Sequence, residues 1–201
     1  MPKLTGPDMK SIREGLLLSA QALTDRLKHA GLVPVGHVRT IQRWEEGARP
    51  VPNDIADYLL ELEHRVGRMA VGFNNSIFFK EREGSPLFAF LRYEDDADYP
   101  EAKEPHDHRL HAAALQRAQS AQLGMDETGM HLVRFDREAF IAWRTGHHLP
   151  DDPSSRGQWA TEQARWALAH DGAPEEESVQ SWAEKHAQAP NRTPHARKKG
   201  E

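Results

Sequence analysis

One ten-residue stretch, Val38–Gly47, constrains the fold of this chain more than any other segment. Its two large apolar side chains, Ile41 and Trp44, are three residues apart, so on a helix they lie on the same face. Gly47 then ends the helix, because glycine readily adopts the left-handed conformation that follows many helix C-termini. The stretch therefore predicts a short helix, from about residue 37 to about residue 46, anchored by one apolar face.

The opposite face of this helix carries hydrogen-bonding side chains, and two of them are cationic. Such a face suits the major groove of DNA, where arginine forks onto guanine and glutamine pairs with adenine. A threonine on such a face contacts a phosphate or a thymine methyl group. The predicted base-reading residues are His37, Arg39, Thr40, Gln42 and Arg43. In the alternative interpretation, this is an ordinary helical domain whose polar face is only solvated.

Two helices are predicted before this stretch. Asp8 suits the cap of a first helix that runs to about Leu18, and Ser19 suits the cap of a second helix that Gly31 ends. Residues 32–36 form the turn into the third helix, since they contain a proline and a glycine. The second and third helices, joined by this turn, meet the requirements of a helix-turn-helix.

Two places beside the third helix are predicted to contact phosphates. The N-terminus of the second helix, with Ser19 and Gln21, offers backbone donors and the positive end of the helix dipole. Arg49 follows Gly47 and is expected to contact the DNA backbone on the far side.

A long fourth helix is predicted after Asn53, which suits its N-cap. Its apolar residues are spaced four, three, four and three apart, which makes a continuous stripe. The stripe is either a dimer seam or the face that covers the core of its own domain. Its members are Ile55, Leu59, Leu62, Val66 and Met69.

The run Arg43–Pro52 has the pattern Arg-Trp-Glu-x-Gly-x-Arg-x-x-Pro, which resembles the Cro/phage-repressor (Xre-like) helix-turn-helix family. Leu16-Leu17-Leu18 before the second helix, Val51-Pro52 and the long fourth helix are more closely similar to the anti-CRISPR-associated (Aca) autorepressors. The resemblance covers about residues 8–70. It implies a small dimeric repressor that binds an inverted repeat in the promoter of its own operon. Some members carry a C-terminal dimerisation domain, which residues 76–145 resemble.

Beyond residue 72 the pattern changes to a mixture of strands and helices. Aromatic-rich runs predict strands, an acidic run with two prolines predicts an exposed loop, and the polar, basic C-terminal residues predict a disordered tail. In chain order we expect strands at 76–80 and 86–93 around a turn at 83–85, a loop at 94–105, a helix at 108–123, a strand at 131–135, a helix capped by Asp136 through Trp143, and helices at 157–170 and 175–187.

These elements predict a mainly α fold in three parts. Residues 1–72 form a four-helix, helix-turn-helix DNA-binding domain. Residues 73–187 form a small α+β domain for dimerisation or a partner, and residues 188–201 form the disordered basic tail.

Composition narrows the classes of function. The chain has no cysteine, which excludes disulfides, a thiol nucleophile and a thiolate zinc site. No apolar run approaches the ~20 residues of a membrane span, so we expect no membrane partner and a cytoplasmic location. The net charge is −5, and the first seventy residues are almost balanced, so DNA binding depends on a few side chains rather than on bulk charge.

Catalysis is not expected from this sequence. His106, His108 and His111 lie close together, but their spacing matches no recognised zinc motif. No phosphate-binding glycine loop, nucleophile elbow or metalloprotease helix is found. We therefore expect no catalytic residue, no metal site and no cofactor.

The favoured hypothesis is a homodimeric repressor bound to double-stranded DNA. Its alternative is an antitoxin-type DNA-binding protein whose C-terminal region, about residues 150–190, binds a partner protein. A third hypothesis is an enzyme fused to a DNA-binding domain, with the histidines at a metal site.

Overall fold

The structure, a computed structural model, describes residues 4–33, 38–82, 87–122 and 129–170. Within these ranges the chain is mainly helical with one small sheet, as the sequence predicts. The elements are α1 (Gly6–Gly15), α2 (Ala20–His29), α3 (Val38–Glu45), α4 (Asn53–Arg82), β1 (Leu87–Arg92), α5 (Asp107–Gln122), β2 (Gly129–Arg134), α6 (Arg137–Gly146) and α7 (Pro153–Ala169).

The cap of α1 differs from the prediction. Thr5, not Asp8, is the N-cap: its hydroxyl accepts from the Asp8 N–H at 3.3 Å, and the Asp8 carboxylate accepts from the Thr5 N–H at 3.1 Å. This reciprocal pair satisfies two free N–H groups of the first turn, so the helix begins earlier than Asp8 alone would allow. The helix also ends earlier, at Gly15 rather than near Leu18.

The predicted limits of α2 and α3 are confirmed where the structure describes them. The Ser19 hydroxyl caps α2 by accepting from the Ala22 N–H at 3.0 Å. Gly31 and Gly47 follow the two helices with φ of 71° and 73°, values that favour glycine because it has no Cβ. Residues 34–37, which complete the predicted turn, lie outside the described residues.

Helix α4 is longer than predicted and replaces the strand expected at residues 76–80, so that prediction is wrong. Ile77 explains the difference: it continues the apolar stripe of α4 and is buried in the same core. Packing of this stripe against α5 outweighs the local preference of an aromatic-rich run for a strand. Residue 72, the predicted domain boundary, falls within α4.

The two strands pair in parallel, from Leu87 opposite Gly129 to Arg92 opposite Arg134. The strands predicted at 86–93 and 131–135 are therefore confirmed, with limits that differ by one or two residues. Helix α5 connects them, because parallel neighbours need a crossover connection of at least a dozen residues.

The sheet separates two hydrophobic clusters. Phe88 and Met130 lie in the first cluster, which they share with buried residues of α1 to α5. Leu91 lies in the second cluster with aromatic residues of α6 and α7, and Val133 packs against it. The first core therefore extends from the N-terminal helices to α5 and the sheet.

The acidic segment 94–105 contains neither helix nor strand, as predicted, but it is not simply exposed. Tyr99 is buried and its ring lies 5.3 Å from that of Tyr93. Asp96 accepts from the backbone N–H groups of His106 and His108, at 2.5 Å and 2.9 Å. The segment is thus attached to the rest of the fold.

The last described helices begin at aspartate caps. Asp136 caps α6 as predicted, and Asp152 caps α7, which begins at Pro153 rather than at Gly157. The helix predicted at 175–187 and the tail predicted at 188–201 lie outside the described residues. No helix in the described ranges is long and apolar enough to cross a membrane.

Candidate nucleic-acid interface

Helix α3 has the two faces that its sequence predicts. Ile41 and Trp44 are buried, at 2 % and 7 % exposure, while Arg39, Gln42 and Arg43 are exposed. Within the described part of the chain, neither of these arginines forms an ion pair. One side of α3 therefore holds the helix in place, and the other presents free donors to solvent.

Thr40 and Arg49 lie near this exposed face, but in different environments. Thr40 is half-buried, which leaves it less accessible than its neighbours. Arg49 is exposed, and its backbone N–H donates to the Arg43 carbonyl at 3.2 Å across the turn at Gly47. That bond holds the backbone of Arg49 beside the end of α3. His37, the remaining predicted contact on this face, lies outside the described residues.

Arg13 of α1 holds the C-terminal end of α3. Its Nε lies 2.6 Å from Oε1 of Glu45, and its Nη2 lies 3.1 Å from Oε2, so the pair is bidentate. Its Nη1 donates to the Leu18 carbonyl at 2.7 Å. Both side chains are about nine-tenths buried, and a bidentate pair of this kind fixes orientation as well as position.

The start of α1 also lies directly against the end of α3. A Cβ atom added to Gly6 would lie 2.7 Å from the Glu45 carbonyl oxygen and still closer to that of Trp44. Only glycine fits this approach. The positive N-terminus of one helix dipole thus faces the negative C-terminus of the other, which is a favourable arrangement.

The predicted contacts on α2 lie near α3 but are partly engaged. The Ser19 hydroxyl is used by the cap, and the Gln21 amide donates to Asp25 at 2.8 Å. Ala20, in the first turn of α2, and Gln42 line one groove together with Lys10 of α1. The groove therefore brings the N-terminus of α2 and the exposed face of α3 onto one surface.

The groove itself carries mixed charge. Glu14 and Glu46 line it beside Lys10, and these carboxylates disfavour an anion inside the groove. The exposed cations Arg39, Arg43 and Arg49 lie outside this lining. The surface thus combines donors at its edges with acidic side chains at its centre.

Helix α2 is fastened to the segment before α5 by a buried cation. The Arg26 guanidinium donates to the Pro105 carbonyl at 2.7 Å and to Asp107 at 2.9 Å, and it also pairs with Glu104. Burial alone would raise the pKa of Asp107, but hydrogen bonds from the Lys103 N–H and from Arg26 outweigh it and hold this pKa below its ordinary value. Asp107 therefore stays charged and keeps the pair intact.

The three clustered histidines do not converge on one point. His106 lies 3.3 Å from Asp25 and His108 lies 2.8 Å from Asp96, so each has its own carboxylate partner. His111 instead lies among aromatic rings, 4.8 Å from Tyr99. Among the described residues, no group of three acidic or histidine side chains is arranged to hold a metal ion.

Sequence reasoning missed the residues that position α3 and α2. Glu45 follows directly after the anchoring Trp44, but nothing local identifies Arg13 as its partner. The spacing of Arg26 could have identified it as a buried cation, since it lies three residues after Leu23 and so falls on the apolar face of α2. A cation on a buried face needs an acidic partner, and that partner is found only in the folded chain.

A scan with protein-family models finds no match to this chain, and a search of the curated proteins finds none. Its function is therefore inferred from the residues and their arrangement at this surface.

Proposed function

We propose that the chain is a sequence-specific DNA-binding transcriptional regulator. It acts as a dimer on an inverted repeat in the promoter of its own operon, and it represses transcription by blocking polymerase. The observation that carries the proposal is the exposure of Arg39, Gln42 and Arg43 on α3, whose opposite face is buried. Free arginine and glutamine side chains on a rigidly held helix are what base recognition in the major groove requires.

In this proposal α1 to α4 form the DNA-binding domain, with α2 and α3 as its helix-turn-helix. Helix α3 enters the major groove, and α2 lies across the sugar–phosphate backbone. The contacts from Arg13 to Glu45 and from Gly6 to the end of α3 support it, because base contacts need a helix held at a fixed angle. Arg49 contacts the sugar–phosphate backbone of the DNA beyond the end of α3.

The charge of the chain indicates how it binds. With a net charge of −5 and acidic side chains in the groove beside α3, nonspecific attraction to DNA is weak. Affinity therefore comes from a few base contacts on each half-site. The second subunit of the dimer doubles their number.

Footprinting on the DNA immediately upstream of the gene for this chain tests the proposal. We expect a protected inverted repeat whose half-sites are about one helical turn apart, roughly 10 base pairs. Arg165→Ala, which removes an exposed cation from α7, should protect the same bases. Equal binding to that DNA and to a scrambled sequence of the same length would refute the proposal.

A further inference from the structure

The two-stranded sheet leaves strand edges without partners in the described part of the chain. There, β1 and β2 pair only with each other. A free strand edge presents a row of N–H and C=O groups that pairs readily with another strand. Such an edge is a potential interaction surface.

Both faces of the sheet pack against hydrophobic clusters. Phe88 and Met130 pack into the cluster on one face, while Leu91 and Val133 pack against the cluster on the other. Parallel strands covered on both faces normally belong to sheets of more than two strands. The arrangement therefore favours continuation of the sheet at one edge.

The edge of β2 is the more open of the two. Helices α5 and α7 pack mainly against β1. In β2 the consecutive residues His131, Leu132 and Val133 all stay partly exposed, although Leu132 and Val133 pack on opposite faces. Ala89 and Phe90 of β1 are also partly exposed, but β1 is the strand against which both helices pack, so β2 is the less covered of the two.

One hydrogen bond identifies the backbone groups on this edge. The Phe135 N–H donates to the Arg92 carbonyl at 2.9 Å, so the backbone of Phe135 faces β1. Because successive residues of a strand alternate in direction, Met130, Leu132 and Arg134 direct their N–H and C=O groups away from β1. No described residue forms a backbone hydrogen bond with these outward N–H and C=O groups.

We infer that the edge of β2 pairs with the same edge of a second copy of this chain. The two strands run antiparallel about a two-fold axis at Leu132, as strands related by such an axis must. The result is a four-stranded sheet in the order β1, β2, β2, β1.

The spacing of the outward groups supports a second copy as the occupant. With Leu132 on the axis, Met130 of one copy lies opposite Arg134 of the other, and every outward N–H and C=O finds a partner. The apolar stripe of α4, the other seam suggested by the sequence, is used by the chain's own core, where four of its five residues are buried and Met69 packs against them. The inference deepens the proposed function, because an inverted repeat requires a two-fold dimer.

Sedimentation equilibrium of the full chain without DNA tests this dimer. Leu132→Pro removes an outward N–H from each copy and leaves the bonds between β1 and β2 in place. Leu132→Ala is the matched control, since it loses the side chain but keeps the N–H. We expect a dimer for the wild type and for Leu132→Ala. For Leu132→Pro we expect a dissociation constant at least about 10-fold higher than that of the alanine control.

Circular dichroism shows whether each variant is folded. If Leu132→Pro does not fold, Arg134→Pro tests the same edge at an exposed position, with Arg134→Ala as its control. A wild-type chain that is monomeric at every concentration tested would overturn the inference. A proline variant that dimerises as tightly as its alanine control would also overturn it.

The outcome separates the dimer from the proposed function. A proline-sensitive dimer that protects no inverted repeat upholds the inference and refutes DNA recognition. If the inverted repeat is protected but the proline variant dimerises as tightly as its control, DNA recognition is upheld and the inferred β2 interface is refuted.

Discussion

The guanidinium of Arg26 and the carboxylate of Asp107, 81 residues apart in the chain, form a fully buried ion pair. The pair joins α2 to the first turn of α5, and Arg65 of α4 reaches the second oxygen of Asp107 at 3.2 Å. Three helices therefore meet at one carboxylate. The proposed DNA-binding helices and the segment that leads to the sheet are thus connected by charge as well as by their shared core.

Removing the cation should destabilise the whole fold. Arg26→Met leaves Asp107 and its neighbours without their buried partner, so we expect the free energy of unfolding to fall by about 3–5 kcal/mol. Urea unfolding measures the change. Arg68→Met is the control, because Arg68 and Glu61 form an exposed pair on α4, and we expect it to cost less than about 1 kcal/mol. Equal costs for the two variants would contradict this role of Arg26.

Gly6→Ala should disturb the contact between α1 and α3. The new Cβ overlaps the carbonyl oxygens of Trp44 and Glu45, which are backbone atoms and cannot move aside without shifting a helix. We expect a loss of about 1–3 kcal/mol in thermal or urea unfolding. Gly67→Ala meets nothing within 4 Å on α4, so it should be neutral or stabilise by up to about 1 kcal/mol. If Gly6→Ala is tolerated as well as Gly67→Ala, the close approach is not required.

Arg43→Ala should relax sequence preference at one base of each half-site. A bidentate contact to guanine contributes about 1–3 kcal/mol of discrimination, and the alanine variant loses it. Titration of the natural operator and of single-base variants measures the loss. Arg165→Ala removes the same charge from α7 and should keep the wild-type preference. Unchanged affinity and specificity for Arg43→Ala would remove this residue from the interface.

Arg49→Ala should act on all sequences alike. A phosphate contact carries no base information, so the variant weakens binding to operator and nonoperator DNA by similar factors. It also releases about one counterion fewer per contact, which flattens the plot of log affinity against log salt concentration. A salt dependence identical to that of the wild type would exclude the contact.

His111 should make the fold sensitive to mild acid. Its ring lies among Phe73, Tyr93 and Tyr99, and burial lowers the pKa of the imidazole from 6.5 to about 4. The unfolded chain therefore takes up this proton first as the pH falls. The stability that the neutral His111 ring contributes is therefore present above about pH 6.5 and is lost as the pH falls toward 4, by up to about 3 kcal/mol.

His111→Phe removes this titration while keeping a ring in the cluster. We expect its free energy of unfolding to change less than that of the wild type between pH 7 and pH 5. Urea titrations at the two values measure the difference. A variant whose stability falls as steeply as that of the wild type would assign the acid sensitivity to another group.

Local features of the fold were predictable because they depend on residues only a few positions apart. Ser19 and Asp136 cap helices by accepting a hydrogen bond from the backbone N–H three residues later. Gly31 and Gly47 end helices through their own positive φ. The two faces of α3 follow from its spacing alone. These predictions needed no knowledge of the rest of the chain.

The largest failure occurred where a distant segment decides the local structure. The strand expected at residues 76–80 is helix because Ile77 is buried in the core that α4 shares with α5, a helix that begins thirty residues later in the chain. The other failure was local: Thr5, only three residues before the predicted cap Asp8, caps α1 through its reciprocal bonds with that residue.

The sequence by itself determined most of the helices, the two strands that pair in the sheet, and which side of α3 is polar. The tertiary structure alone decided that Arg13 holds Glu45, that Arg26 meets Asp107, and that the two strands run parallel, with an edge of β2 that pairs with no other described strand. The physical reason is the separation in sequence between the interacting groups. Caps and helical faces are set by bonds within a turn or two, whereas buried ion pairs and strand pairing join groups that become neighbours only after the chain has folded.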